Sequence, residues 1–257
     1  MYQLHSGPDS SHRILSELVR SYGRSPVLDV GAAEGYLARL LAGSGLVLDA
    51  VEPDPRYAAA ARPHYRGVFE TTVERAELGE SYGTIVCGDV LEHLVDPAGV
   101  LRKLVGVLRP EGVVLVSLPN VAHLAVRLLL LSGRFPRMDR GPLDRTHLHF
   151  FTRSTAEQLL NQAGLQVIER RATVVPVVDI AGNGWRSIAR IANPLQRLVV
   201  RLLPGPFAYQ WIFVAKRRPA PPAGSGAPGR EAERGGSASG RGAVLRPVGA
   251  GDSADEP

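Results

Sequence analysis

Three groups of residues in this chain have types and spacing suited to chemistry. In the first, Gly31 and Gly35, with Ala32 and Ala33 between them, sit in a turn between an apolar run at 27–30 and a helical pattern that begins at Tyr36. Glycine lets a backbone pass close to a ligand, and a helix opening at such a turn aims unpaired N–H groups at it. Asp29 precedes Gly31 by two positions, and Glu52 ends the next apolar run. That is about twenty residues beyond the turn, where a carboxylate can accept both hydroxyls of a ribose. The G-x-G-x-x-G of dinucleotide sites is absent, so the pattern points to an adenosine-type ligand without saying which.

The second group is Asp89, Glu92 and His93 within GDVLEHL, at the end of a predicted strand. It contains a possible base. The spacing also suits metal ligands, but the sequence identifies no further partners and no metal is assigned. The third is the run from Asp144 through Arg145, His147 and His149 to Phe151. If it is extended, alternation puts His147 and His149 on one face. A histidine with pKa near 6.5 can take a hydroxyl proton at neutral pH. His147 leads as base over His149 and His93; the alternative for all three is packing and hydrogen bonding in ordered loops. Asn120, after Pro119, can orient an acceptor hydroxyl or simply make a turn.

These groups need a scaffold that brings them together. Helical spacing of Ile14, Leu15, Leu18, Val19 and Tyr22 after Ser10 or Ser11 predicts an amphipathic helix across the mouth of the ligand turn. Strands are expected at 27–30, 46–51, 67–71, 84–90 and 113–118. Helices follow between them: at 57–62, stopped by Pro63, and after the Asp96-Pro97 cap, with Val100, Leu101, Leu104 and Leu108 facing the core. Such alternation predicts a doubly wound, mostly parallel α/β sheet with helices on both faces, whose ligands sit outside the carboxyl ends of the strands. Further on come a helix at 122–131, a long loop at 133–146, a helix opened by a Ser154/Glu157 capping box, and strands at 165–175 and 209–215. The interval 179–206 reads as a lid-like insertion of two short amphipathic pieces with a basic edge, interrupted by Pro194. It is a candidate contact for anionic lipid or a lipid-linked substrate through 186–202. Residues 217–257 are rich in Pro, Gly, Ser and Arg and are expected to be disordered.

Composition narrows the class. The single cysteine, Cys87, excludes an internal disulfide and fits a reducing compartment, and 1–12 lacks the apolar core of a secretory signal, so a cytoplasmic protein is expected. No apolar run reaches the roughly 18 residues of a membrane span. The net charge of +5 is concentrated in 186–201 and the tail, and aromatic residues make up only 6%. That pattern disfavours a nucleic-acid surface.

In order, VLDVGAAEGY, VEPD, CGDVLEHLVDP and LRPEGVVLVSLPNVAH resemble the successive motifs of class I S-adenosylmethionine-dependent methyltransferases. GPLDRTHLHFFT is similar to a small bacterial branch associated with glycan and surface-polysaccharide synthesis, distantly like the ubiquinone-type O-methyltransferases. The resemblance spans residues 1–216. It implies a Rossmann-like seven-stranded sheet whose final strand enters antiparallel. It implies S-adenosylmethionine as cofactor: Asp29 toward the methionyl ammonium, Gly31, Ala32 and Gly35 in the turn, Glu52 and Pro53 at the ribose, Thr72 and Val73 at the adenine, and Asp89 and Val90 nearby. Relatives commonly carry an acidic residue where this chain has Thr72. Asn120, Asp144 and Arg145 fall to the acceptor side. The implied reaction is O-methylation of a sugar or glycan precursor, with a phenolic small molecule, or a non-catalytic S-adenosylmethionine-binding module, as the alternatives. A nicotinamide-dependent oxidoreductase is disfavoured by the missing middle glycine.

Overall fold

A computed structural model describes residues 10–79, 81–176 and 186–219, with side chains from 194 onward in the last interval. Helix α1 (Ser11–Tyr22) starts where the Ser10 side chain accepts the Arg13 amide at 3.3 Å, and it buries Leu15, Leu18 and Val19. Strand β1 (Val27–Val30) is buried on both faces, as expected of a central parallel strand. It leads through the glycine turn into α2 (Tyr36–Leu40), then β2 (Leu48–Val51), α3 (Pro55–Ala61) and β3 (Gly67–Phe69). Asp54 caps α3 by accepting the Arg56 amide at 2.9 Å.

The second half runs β4 (Tyr82–Gly88), α4 (Pro97–Gly106), β5 (Leu108–Pro119), α5 (Leu124–Leu131), α6 (Arg153–Gln162) and β6 (Leu165–Ala172). It closes with α7 (Arg186–Leu202), α8 (Pro204–Phe207) and β7 (Gln210–Arg217). One seven-stranded sheet results, in the order β3-β2-β1-β4-β5-β7-β6. Pairing is parallel from β3 through β5, while β7 is antiparallel to both β5 and β6. The fold is therefore the Rossmann-like one expected, including the late antiparallel strand.

Alternation along each strand feeds two cores. Leu28, Val30, Ile85, Cys87, Val114, Val116 and Phe213 pack on one side with α4 and α6, whereas Val27, Val86, Leu115, Ile212 and Val214 meet α1 and α2 on the other. Each fully buried Leu or Val contributes about 1.5–3 kcal/mol relative to exposure. Register matters most for function. Val30 lies opposite Val51 on one side and Cys87 on the other, and Cys87 opposite Val116, so the loops after β1, β2, β4 and β5 leave the sheet at one level.

Several local expectations change. The capping box is formed by Thr152 and Thr155, two residues earlier than Ser154/Glu157, because both threonine hydroxyls can meet the opposing backbone amides. Residues 186–202 form one helix with Pro194 inside it, not two pieces. Its Leu195, Leu198 and Leu202 are exposed. The R-P-E-G segment, which reads as a turn in the sequence, stays within β5, where Leu108 pairs with Tyr82 across a register shift. The start of the insertion, 179–185, and the expected disordered tail from 220 onward lie outside the described residues. Among the described residues, no helix is long and apolar enough to cross a membrane.

Candidate cofactor and acceptor site

The turn after β1 is set by backbone conformation. Gly31 and Gly35 adopt φ of +73° and +77°, and Ala33 reaches 46°. A Cβ on Gly31 would stand 2.6 Å from Val90 Cγ2, so this position must be glycine for Val90 to lie against the turn. The Gly31 amide donates to the Val51 carbonyl at 2.8 Å, which ties the turn to the end of β2.

Glu52 reinforces that tie. Its buried carboxylate accepts the Ala33 amide at 2.8 Å through Oε2 and the Asp54 amide at 3.0 Å through Oε1. A buried carboxylate demands such donors, and each oxygen keeps a further lone pair for a hydroxyl. Pro53 follows it at the exposed start of the next loop.

Asp29 is buried beneath the turn and accepts the Tyr65 hydroxyl at 2.5 Å. Burial raises its pKa to about 7; the Tyr65 hydrogen bond opposes the rise and the Glu52 charge adds to it. Asp29, Gly31, Ala32 and Gly88 line a small cleft closed on the helical side by Leu15 and Tyr36. The helix predicted to cross the mouth of the turn does so.

Asp89 occupies the loop after β4 at φ 56°, an uncommon conformation for a non-glycine residue and one that clusters at functional sites. It is held there by three elements. Ser117 donates at 2.7 Å and Gln210 at 2.9 Å to Oδ1, and Ser11 donates at 3.4 Å to Oδ2. None of Ser117, Gln210 or Tyr65 was singled out by sequence, since each belongs to a strand end or loop whose neighbours are fixed only by the sheet order.

Glu92 and His93 lie on a single 3-10 turn, Leu91–His93. The Glu92 carbonyl accepts both the Leu148 and His149 amides, at 2.8 and 3.1 Å, and so fastens the 144–151 loop to this turn. His147 is thereby brought to His93, ring centroids 4.8 Å apart. Burial lowers the His147 pKa, the neighbouring His93 charge adds to this, and Asp144 opposes it. Glu92 is raised well above the usual carboxylate range by burial and by Asp89 and Asp144. Asp144 itself is lowered in spite of burial, because the Thr146 amide and hydroxyl donate to it at 2.8 and 2.6 Å.

Other expected site residues are placed elsewhere. The segment 144–151 is a series of turns, not a strand, so His147 and His149 do not share a face. His147 is buried beside His93, and His149 Nε2 lies 3.4 Å from the Val95 carbonyl. Asn120 is fully buried with its amide committed: it donates to the Gly205 and Ala208 carbonyls at 3.1 and 2.8 Å and accepts the Ala122 amide at 3.1 Å. It therefore holds α8 against the end of β5, fully buried and with both amide N–H groups committed. Arg145 is exposed and pairs with Asp139 at 2.5 Å. Val73 is buried in the core and Thr72 is exposed, in a turn pinned by Lys103 Nζ, which donates to the Val73, Glu74 and Ala76 carbonyls.

A nucleoside with a charged amino-acid arm fits these residues: the cleft lined by Gly31 and Ala32, the braced Glu52 carboxylate, and Asp29 beneath the cleft. Comparison with known proteins is consistent with that fit. Residues 10–170 match the profile of a family described as a methyltransferase domain. A ubiquinone biosynthesis O-methyltransferase from Xanthomonas euvesicatoria pv. vesicatoria is 26% identical over 179 residues, covering 65% of this chain and 70% of that protein. One from Rickettsia canadensis is 23% identical over 167 residues, with 62% and 69% covered.

Among solved structures, the magnesium protoporphyrin IX methyltransferase of Synechocystis PCC 6803 with bound SAH aligns with a TM-score of 0.55 at 16% identity, covering 80% of this chain and 82% of that one. The CcbJ methyltransferase of Streptomyces caelestis aligns equally well, with 84% and 93% covered. The [4+2]-cyclase SpnF also shares the architecture, at a TM-score of 0.54 and 15% identity over 80% of this chain and 81% of that one. The fold alone thus does not dictate the reaction. Family membership over residues 10–170 goes further than fold: the chain belongs to the methyltransferase domain family and is a class I S-adenosylmethionine-dependent methyltransferase.

Proposed function

We propose that the protein methylates a hydroxyl oxygen of a phenolic, quinone-precursor-like small molecule. The observation that carries the site assignment is the meeting of Glu92, His93 and His147 beside the Asp89 end of the cofactor crevice. The relatives named for ubiquinone biosynthesis are O-methyltransferases, which supports an oxygen acceptor of this kind. A sugar or glycan precursor is the second reading. It is favoured by the resemblance of 141–152 and by the exposed leucines of α7 with Arg201, a surface suited to a lipid-linked saccharide.

In this reading Glu52 accepts the ribose hydroxyls, the 31–35 turn receives the cofactor backbone, and Asp29 attracts the amino group of the methionine arm. Thr72 offers the adenine edge a hydroxyl where relatives place a carboxylate. S-adenosylmethionine bound here would supply an electrophilic methyl group, carried on a sulfonium sulfur, for the acceptor oxygen to take. The protein positions the oxygen and excludes water. Asp89, locked by Ser117 and Gln210, fixes the wall between the two ligands, and the acceptor hydroxyl faces the Glu92–His93–His147 cluster, where its proton is lost. His149, turned to the Val95 carbonyl, supports the loop. In this reading the domain spans residues 1–216 and includes the 179–206 insertion.

The test is methyl-labelled S-adenosylmethionine offered with three acceptor sets: quinone-precursor phenols, nucleotide sugars and lipid-linked saccharides. Label in a phenol ether supports the first reading, and label confined to a saccharide replaces it with the second. Tight cofactor binding with no transfer to any set would favour a binding module.

A further inference from the structure

Glu92 is fully buried, and neither carboxylate oxygen has a hydrogen-bond partner outside its own residue. A buried carboxylate without donors is costly unless it is protonated or meets a cation. Its neighbours are two imidazoles: one ligand atom each from Glu92, His93 and His147 lies within 4.8 Å of the others. The His93 ring is supported in a particular way. His93 Nδ1 is 3.3 Å from the Thr146 carbonyl, and at His147, where burial lowers the pKa, the Pro142 backbone acts in the opposite direction. A neutral imidazole that donates one N–H to a carbonyl keeps a lone pair on its other nitrogen, and metal-bound histidines characteristically have this support. Asp89 and Asp144 add negative charge around the cluster.

We propose that Glu92, His93 and His147 form a binding site for one divalent transition-metal ion on the acceptor side of the crevice. Two imidazoles and one carboxylate suit zinc, or manganese or iron(II), better than calcium or magnesium. Ligand bonds of about 2.0–2.2 Å place tetrahedral ligands about 3.4 Å apart, so binding draws the three groups together; exposed His93, on its short 3-10 turn, is the one with room to move. Three protein ligands leave an open position, as in catalytic rather than structural sites.

The role of the ion rests on the O-methylation reading; the existence of the site does not. An acceptor hydroxyl in the open position has its pKa lowered by the ion, its proton leaves to solvent, and the oxygen keeps the lone pair that bonds to the methyl carbon. His147 then acts as a ligand and not as the free base suggested by its sequence.

The experiment is calorimetric titration of the chelator-treated full chain with zinc chloride and with manganese chloride, with S-adenosylmethionine titrated in parallel. The expected result is one ion per chain, weakened at least ten-fold in Glu92→Gln and in His147→Asn, while both variants still bind S-adenosylmethionine. Zinc should also raise the unfolding midpoint of the wild type and not that of Glu92→Gln, which serves should His147→Asn fail to fold. Equal metal affinity in wild type and variants, or no metal binding by protein that binds S-adenosylmethionine, overturns the site. Metal binding without S-adenosylmethionine binding leaves the site standing and removes the methyl-transfer reading instead.

Discussion

The Ala33 amide donates to Glu52 Oε2 at 2.8 Å, so the loop that follows β1 is closed by the carboxylate at the end of β2. The glycine turn and the carboxylate proposed to accept the ribose are thus one unit. Replacing Glu52 removes the proposed ribose partner and also leaves two backbone amides, those of Ala33 and Asp54, without their acceptor. Charged hydrogen bonds of this kind are worth about 1.5–3 kcal/mol, so Glu52→Ala should weaken S-adenosylmethionine binding by about ten-fold or more. Calorimetry reads this directly, and unchanged affinity would remove the ribose assignment.

Gly31→Ala places a Cβ 2.6 Å from Val90 Cγ2 at a φ of +73°. The two effects are separable. The conformational cost is about 1–2 kcal/mol, and the contact with Val90 is additional. Chemical denaturation should show Gly31→Ala destabilised, with Gly31→Ala/Val90→Ala recovering the contact part only. Equal stability of the single and double variants would place Val90 away from the turn.

Asp29 is predicted to give stability a pH dependence of defined sign. Its folded pKa of about 7 lies above the ordinary value of 3.8, so the folded state binds the more protons between these values. Its contribution is fully present below about pH 4 and is lost as pH rises through about 7. Unfolding free energies of wild type relative to Asp29→Asn should therefore fall across that window. The same deprotonation should strengthen binding of the cationic methionine arm. Tyr65→Phe removes the hydrogen bond that holds the pKa down, and should move both transitions to higher pH. A wild-type profile parallel to that of Asp29→Asn would contradict this account.

Lys103 Nζ donates to the Val73, Glu74 and Ala76 carbonyls at 2.9, 2.8 and 2.7 Å. Lys103→Met keeps the aliphatic stem and leaves those carbonyls without their donor, at a cost of about 1–3 kcal/mol. Amide exchange should accelerate at 73–76 before elsewhere. Uniform acceleration would mean that the turn is not a local unit.

Asn120→Ala leaves the Gly205 and Ala208 carbonyls and the Ala122 amide unpaired. The predicted result is a loss of about 1–3 kcal/mol in stability with the acceptor KM little changed, measured by denaturation and steady-state kinetics once an acceptor is known. A raised KM at unchanged stability would return Asn120 to the acceptor site.

The strands, their parallel order and the Gly31–Glu52 pair were legible in the sequence because local signals carry them: continuous apolar runs, a glycine turn, a carboxylate at a strand end. Longer-range placements were not. Gln210 reaches Asp89 across 121 positions, and Tyr65 reaches Asp29 across 36, both through the sheet order. Alternation of His and apolar residues over 144–151 leaves an extended segment and an ordered loop both open in the sequence, and the loop is what forms. Its backbone goes instead to the Glu92 carbonyl, which takes two amides at once. That same bond explains why Glu92 and His93 showed no further partners in the sequence: the third, His147, arrives from 54 positions beyond His93, only when the loop folds back.

Methyl transfer to oxygen at this crevice can be followed atom by atom. Carbon-13 methyl-labelled S-adenosylmethionine, incubated with the full chain and a pool of phenols and saccharides, reports the receiving atom by NMR. The account predicts a labelled methyl ether formed in step with S-adenosylhomocysteine and lost in Glu52→Ala at limiting cofactor. Label appearing on nitrogen or carbon would contradict it.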